Sequence, residues 1–174
     1  MRKLFKSLWF SLPLLAIAIL SSQTVATSAE ITSMSLSITG GSLTISAPTS
    51  FNLGSAGSPS TISVQMDPVT VTDNRGIISG GGWITSTIAS ALTPTAGPAI
   101  PAALMGYSSG VFTKTGTVIL TEYDVTTLEG AIPVVTATGI SGNNVVSWSP
   151  NISISIPSGF AIGVYTGTIT HSVL

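Results

Sequence analysis

Beyond residue 30 the chain is patterned in twos. Met34, Leu36 and Ile38 alternate with Ser35, Ser37 and Thr39. After Gly40-Gly41 the pattern resumes as Leu43, Ile45 and Ala47 against Ser42, Thr44 and Ser46. Ile62, Val64 and Met66 follow, then Val69 and Val71 against Thr70 and Thr72. Ile152, Ile154 and Ile156 form a later run, and Tyr165, Gly167, Ile169, His171 and Val173 form the last. A strand sends successive side chains to opposite faces, so this period predicts half-buried strands. Around Val118 and Leu120 the intervening Ile119 is apolar too, which predicts partial burial on both sides.

Gly, Pro, Asn and Asp interrupt these runs at 54–57, 73–76, 80–82, 142–144 and 158–159. Chain reversals are expected there, because these residues supply positive φ or a preset turn geometry. Residues 91–110 carry Pro94, Pro98, Pro101 and no charged side chain, and are expected to form an extended crossover or surface loop. No window after the N-terminal segment shows a capped helical period. The expected fold is all-β: an antiparallel β-sandwich, Ig-like or jelly-roll-like. Aliphatic faces would meet between the sheets, with Ser and Thr turned to water.

Residues 1–29 differ. Arg2, Lys3 and Lys6 precede an apolar run from Leu8 to Leu20, broken only by Ser11 and Pro13, and small residues follow. This is the layout of a helical signal peptide, with cleavage after Ala29 or Ala26. The run is shorter than the ~20 residues of a membrane span, so no stable transmembrane anchor is expected. The domain then covers residues 30–174 and is secreted. Its charge is that of Arg75 and Lys114 against Glu30, Asp67, Asp73, Glu122, Asp124 and Glu129, or 2 − 6 = −4. Only 6% of residues are charged, against about a quarter in ordinary soluble domains. A nucleic-acid partner needs a basic face and is excluded on this count. There is no Cys, so the fold stands without disulfides.

Candidate chemistry is sparse. His171 is the single histidine and no Gly-x-Ser-x-Gly elbow is present, so a catalytic triad has no sequence support. The acids are scattered rather than gathered into a calcium loop, and no metal or cofactor is expected. Glu122 and Asp124 form the one conceivable acid pair for glycan hydrolysis. On a strand, residues two apart share a face at roughly 6–7 Å. Trp83 and Trp148 are either core anchors or exposed platforms for sugars and partners.

Two segments carry a family resemblance. Val69-Thr70-Val71-Thr72-Asp73-Asn74-Arg75-Gly76, followed by Gly82-Trp83-Ile84-Thr85, resembles the VTDxRG…GW segment of WxL-domain surface proteins of Gram-positive bacteria. Gly163-Val164-Tyr165-Thr166-Gly167-Thr168-Ile169-Thr170-His171-Ser172-Val173 resembles that domain's closing strand. Gly41–Ile45 and Phe51–Gly54 resemble its first strands. The chain departs from the pattern at Thr85, where the family has Leu, and at His171 and Val173, where it has Trp and Leu.

The resemblance implies a cell-surface β-sandwich that attaches to peptidoglycan and associates with companion surface proteins. Trp83, Tyr165 and His171 occupy the motif positions and are the expected binding residues. The expectation is an exported, non-enzymatic module held non-covalently at the cell envelope. The alternative is a fimbrial- or coat-like subunit that self-associates through strand edges. A hydrolase using Glu122 and Asp124 is the remote third.

Overall fold

The computed structural model describes residues 30–174; the expected signal peptide, with its helix, lies outside the described residues. The chain divides at Ser37 into two units. In the first, the described residues Glu30–Ser37 form no regular element. The second, from Ile38 onward, holds ten strands: β1 (Leu43–Ser46), β2 (Ser60–Gln65), β3 (Val69–Ala89), β4 (Thr93–Pro94), β5 (Met105–Ser108), β6 (Phe112–Glu122), β7 (Ile132–Trp148), β8 (Asn151–Ile156), β9 (Tyr165–Thr166) and β10 (Ile169–Val173).

Every strand pair is antiparallel. The five-stranded sheet runs β1-β3-β7-β6, with β10 also on β3. A three-stranded sheet runs β2-β8-β5, and β4 pairs with β9. One apolar cluster draws on both larger sheets. Val69, Val146 and Trp148 come from the five-stranded sheet, and Tyr107, Ile152 and Ile154 from the three-stranded one. The protein is therefore all-β and antiparallel, as the alternation predicted.

Four local expectations are corrected. First, 73–76 and 80–82 do not reverse the chain but lie inside the 21-residue strand β3, and 142–144 lies inside β7. The register between the two strands shifts between Asp73 and Ile77, and again before Gly81 and before Trp83. Gly76, at φ 65°, takes up one of these irregularities. Turn-forming residues here make β-bulges, which bend and twist a strand without ending it. Second, Met105–Ser108 is strand β5 rather than loop, because Met105 and Tyr107 are both core residues.

Third, Met34, Leu36 and Ile38 belong to no strand in spite of their alternation. Fourth, along the second half of β3 the faces are reversed. Thr85 and Thr87 are buried beside Trp83, whereas Ile84 and Ile88 look outward. Trp83 decides this. Its large ring gains more from burial than either isoleucine, and a period of two then carries Thr85 and Thr87 inside with it.

Candidate functional site

Backbone register first brings the two motif segments together. β10 lies antiparallel against β3, with Val173 opposite Thr85 and His171 opposite Thr87. Ile84 and Leu174 extend the pairing by exchanging backbone hydrogen bonds of 2.9 and 3.0 Å. Thr85, His171 and Val173, where the chain departs from the resembled pattern, therefore sit on adjacent strands. Trp83, Thr85 and Thr87 are buried, and His171 and Val173 are half-buried on β10.

Trp83 is 2% exposed, so its ring is a core anchor and offers no platform to a sugar. Its Nε1 donates to Asn144 Oδ1 at 3.3 Å, and Asn144 Nδ2 donates to Asp73 Oδ2 at 3.4 Å. Asp73 also accepts from Arg75 Nε and Nη2, both at 2.9 Å, and from the Arg75 backbone N–H at 3.0 Å. Arg75 Nη2 donates once more, to the Gly82 carbonyl at 2.9 Å. The guanidinium beside Asp73 holds its carboxyl below the usual value, against the opposing effect of burial. The same carboxylate raises the Arg75 pKa. The Asp-x-Arg-Gly…Gly-Trp segment is thus a clasp across the bulged part of β3 and β7. A bidentate, charge-assisted pair fixes the geometry there.

His171 sits at the other polar cluster. Its ring centroid is 5.7 Å from that of Tyr107, and burial lowers its pKa to about 4. Its Nε2 is buried without a hydrogen-bond partner, as is Thr87 Oγ1. Trp148 Nε1 donates to the Tyr107 hydroxyl at 2.8 Å. Burial raises the Tyr107 pKa.

Tyr165 is separate from both clusters. It pairs with Pro94, donates its hydroxyl to the Ala161 carbonyl at 3.0 Å, and lines an open apolar groove. The structure thus brings Ile169–Val173 of the closing segment against Thr85–Ala89 and leaves Tyr165, of the same segment, on Pro94. Glu122 and Asp124 do not share a strand face, because β6 ends at Glu122; both are exposed. Among the described residues no three of His, Cys, Asp and Glu gather as metal ligands.

The outward face of the five-stranded sheet is the surface with a repeating chemistry. Ser46 stands opposite Thr70, Thr70 opposite Ser147, and Ser147 opposite Thr113, giving a hydroxyl row across four strands. Thr70 Oγ1 and Ser147 Oγ are 2.9 Å apart, and Thr113 Oγ1 donates to the Ser147 carbonyl at 3.4 Å. The next row is Thr44, Thr72, Val145 and Thr115. Neighbouring strands are ~4.8 Å apart, and same-face residues repeat every ~6.7 Å along each strand. The result is two uncharged rows rich in hydroxyls and interrupted by Val145; farther along the sheet Ile84, Ile88 and Ile119 are exposed. Sequence reasoning missed Asp73, Asn144, Thr87 and Tyr107 as network members. The available signal was the burial parity that Trp83 and Trp148 impose. No family model, curated protein or solved structure matches the chain.

Proposed function

We propose that this is an exported, non-enzymatic β-sandwich module that associates non-covalently with the cell envelope through the hydroxyl face of its five-stranded sheet. The sandwich reading rests on the single apolar cluster shared by the two larger sheets. Export rests on the layout of residues 1–29. The envelope reading rests on the resemblance to WxL-domain proteins. The carrying observation is the cross-strand row Ser46–Thr70–Ser147–Thr113. A neutral row of hydroxyls suits a glycan, whose own hydroxyls repeat on a similar scale, or the sheet face of a companion surface protein. It has no charge to capture a polyanion. Trp83 and His171 contribute by fixing the sheet rather than by touching the ligand.

The test is a pull-down of the processed protein with isolated cell wall. Recovery above the buffer control is expected, and lower recovery for the combined variant Ser46→Ala, Thr70→Ala, Thr113→Ala, which removes three hydroxyls of that row. Equal recovery with and without wall rejects glycan attachment.

A second reading, a structural subunit assembling through strand edges, is favoured by one observation. β2 pairs with β8 on one side and with no strand on the other among the described residues. Unpaired edges are templates for another strand.

A further inference from the structure

We propose that the groove between the β1–β2 and β8–β9 loops binds a linear aliphatic chain with an uncharged head, the chain running inward between the two larger sheets. Its walls all belong to the unit from Ile38 onward and include no residue of the hydroxyl rows. The groove has a volume of about 680 Å³, within the ~300–1,000 Å³ of small-molecule sites. Residues 51–58 and 160–167 flank it, with Ile62, Ile100 and Ile156 between them. Ser58 Oγ donates to the Pro157 carbonyl at 2.6 Å, which fastens the two loops to each other at one end.

The groove continues inward. A smaller cavity of about 190 Å³ adjoins it, and the two share Phe51, Leu53, Leu92, Ile154 and Gly167. Ala89 and Ile169 of the five-stranded sheet and Met105 and Ile152 of the three-stranded sheet all wall this cavity, so it lies between the sheets. Met66 and Leu128, both buried, complete it. Flexible thioethers such as Met66 and Met105 adapt to an irregular apolar guest. Gly167 stands at the junction, where there is no room for a side chain: a Cβ would lie 2.9 Å from the Ala91 carbonyl oxygen, Leu92 Cδ2 and Ser90 Oγ.

Charge and shape select the occupant. No charged side chain lines either part. An ionised head would meet no counter-charge, whereas Asn52, Ser55, Ser58 and Thr166 offer an amide and hydroxyls to a neutral one. A polypeptide could lie in the groove but not follow it inward. Its backbone N–H and C=O groups would leave water for the side chains of Met66, Met105 and Leu128, which do not replace the lost hydrogen bonds. A run of methylenes carries no such groups, and each one taken from water tightens binding about 4-fold. Ile162 and Val164, 107% and 77% exposed, give the groove an apolar lip where such a chain enters.

The test is titration of the processed protein with N-phenylnaphthylamine, a neutral dye that brightens on leaving water, followed by displacement with octanol, decanol and dodecanol. Saturable dye binding is expected, with displacement tightening about 4-fold for each added methylene and dodecanol outcompeting ionised dodecanoate. Leu53→Trp, which fills the junction from a half-buried loop position, should weaken dodecanol at least ~10-fold, an effect of about 1.4 kcal/mol. Ile84→Ser, on the exposed sheet face, should leave binding in place. Absence of dye binding, or displacement that does not depend on alkyl length, overturns the proposal without recourse to any variant. Dye binding that survives Leu53→Trp and is lost in Ile84→Ser assigns the site to the sheet face and overturns it as well. Dodecanoate binding as tightly as dodecanol overturns the uncharged head. The wall pull-down reads a different surface, so its outcome and this one are separable.

Discussion

Trp83 and Trp148 are buried to the same degree, and each sends its indole N–H to a polar partner. What lies beyond that partner differs. From Trp83 the hydrogen bonds run through Asn144 to a carboxylate, and that carboxylate is matched by the fork of Arg75. From Trp148 they reach the Tyr107 hydroxyl, beside which Thr87 Oγ1 and His171 Nε2 are left without partners. A tryptophan gains similar free energy from burial in either place. The difference lies in how the polar remainder ends. A charged, saturated end pins a local geometry, here the bulged stretch of β3 and β7. An end with orphaned atoms leaves a region that proton concentration can disturb.

The largest expected break falls on the saturated side. Arg75→Ala strips the buried Asp73 of its counter-charge and should destabilise the protein by about 2–4 kcal/mol, measured by chemical denaturation. A loss below about 1 kcal/mol, the range of an exposed pair, would show that the clasp is ornamental. The unsaturated side should reveal itself through pH. His171 is neutral in the fold, with its pKa lowered to about 4 from an ordinary 6.5. The unfolded chain therefore takes up the proton first as pH falls. The contribution is complete above 6.5 and is lost between 6.5 and about 4, by on the order of 3 kcal/mol. Asp73, whose pKa is also lowered, acts in a different window, below its ordinary 3.8. Melting temperatures of the parent and of His171→Phe across pH 4–7 check this; the variant should show the flatter profile, and parallel profiles refute it.

Tyr107→Phe removes the acceptor of the Trp148 N–H and should cost about 1–2 kcal/mol, with a change in tryptophan fluorescence. The smallest effect sharpens the comparison most. Thr85 Oγ1 donates to the Val135 carbonyl at 3.3 Å, whereas Thr87 Oγ1 has no partner. Thr85→Val should therefore cost about 1 kcal/mol, and Thr87→Val should be neutral or slightly stabilising. Equal costs would remove the distinction between the two regions.

Strand content was legible because alternation along Leu43–Ser46, Ser60–Gln65 and Asn151–Ile156 reports one wet and one dry face directly. The bulges were not. The residues of 73–76 and 80–82 equally suit a turn, and only the length of β7 opposite decides that the chain runs on. Thr85 and Thr87 were assigned to water by composition, and the neighbouring indole overruled it. Tyr107 was hidden by the prolines upstream of it, which mark where a segment starts poorly but say little of where it goes. The Asp73–Arg75 pair was visible as residues but not as a clasp. Its third and fourth members, Asn144 and Trp83, arrive only through antiparallel register.

The sharing of β3 between β1 and β10 has a consequence for synthesis. β3 is complete once residue 89 has been made, yet the flank along Thr85–Ala89 waits for Ile169–Val173. Ser172 and Ser86, hydrogen-bonded at 3.4 Å, stand 86 residues apart in the chain. Closing so long a span is slow, since the loop entropy must be met before the contacts form. The pairing of β3 is therefore complete only after β10 emerges, and a product truncated before Ile169 would leave a bare ladder of amides and carbonyls beside its buried threonines.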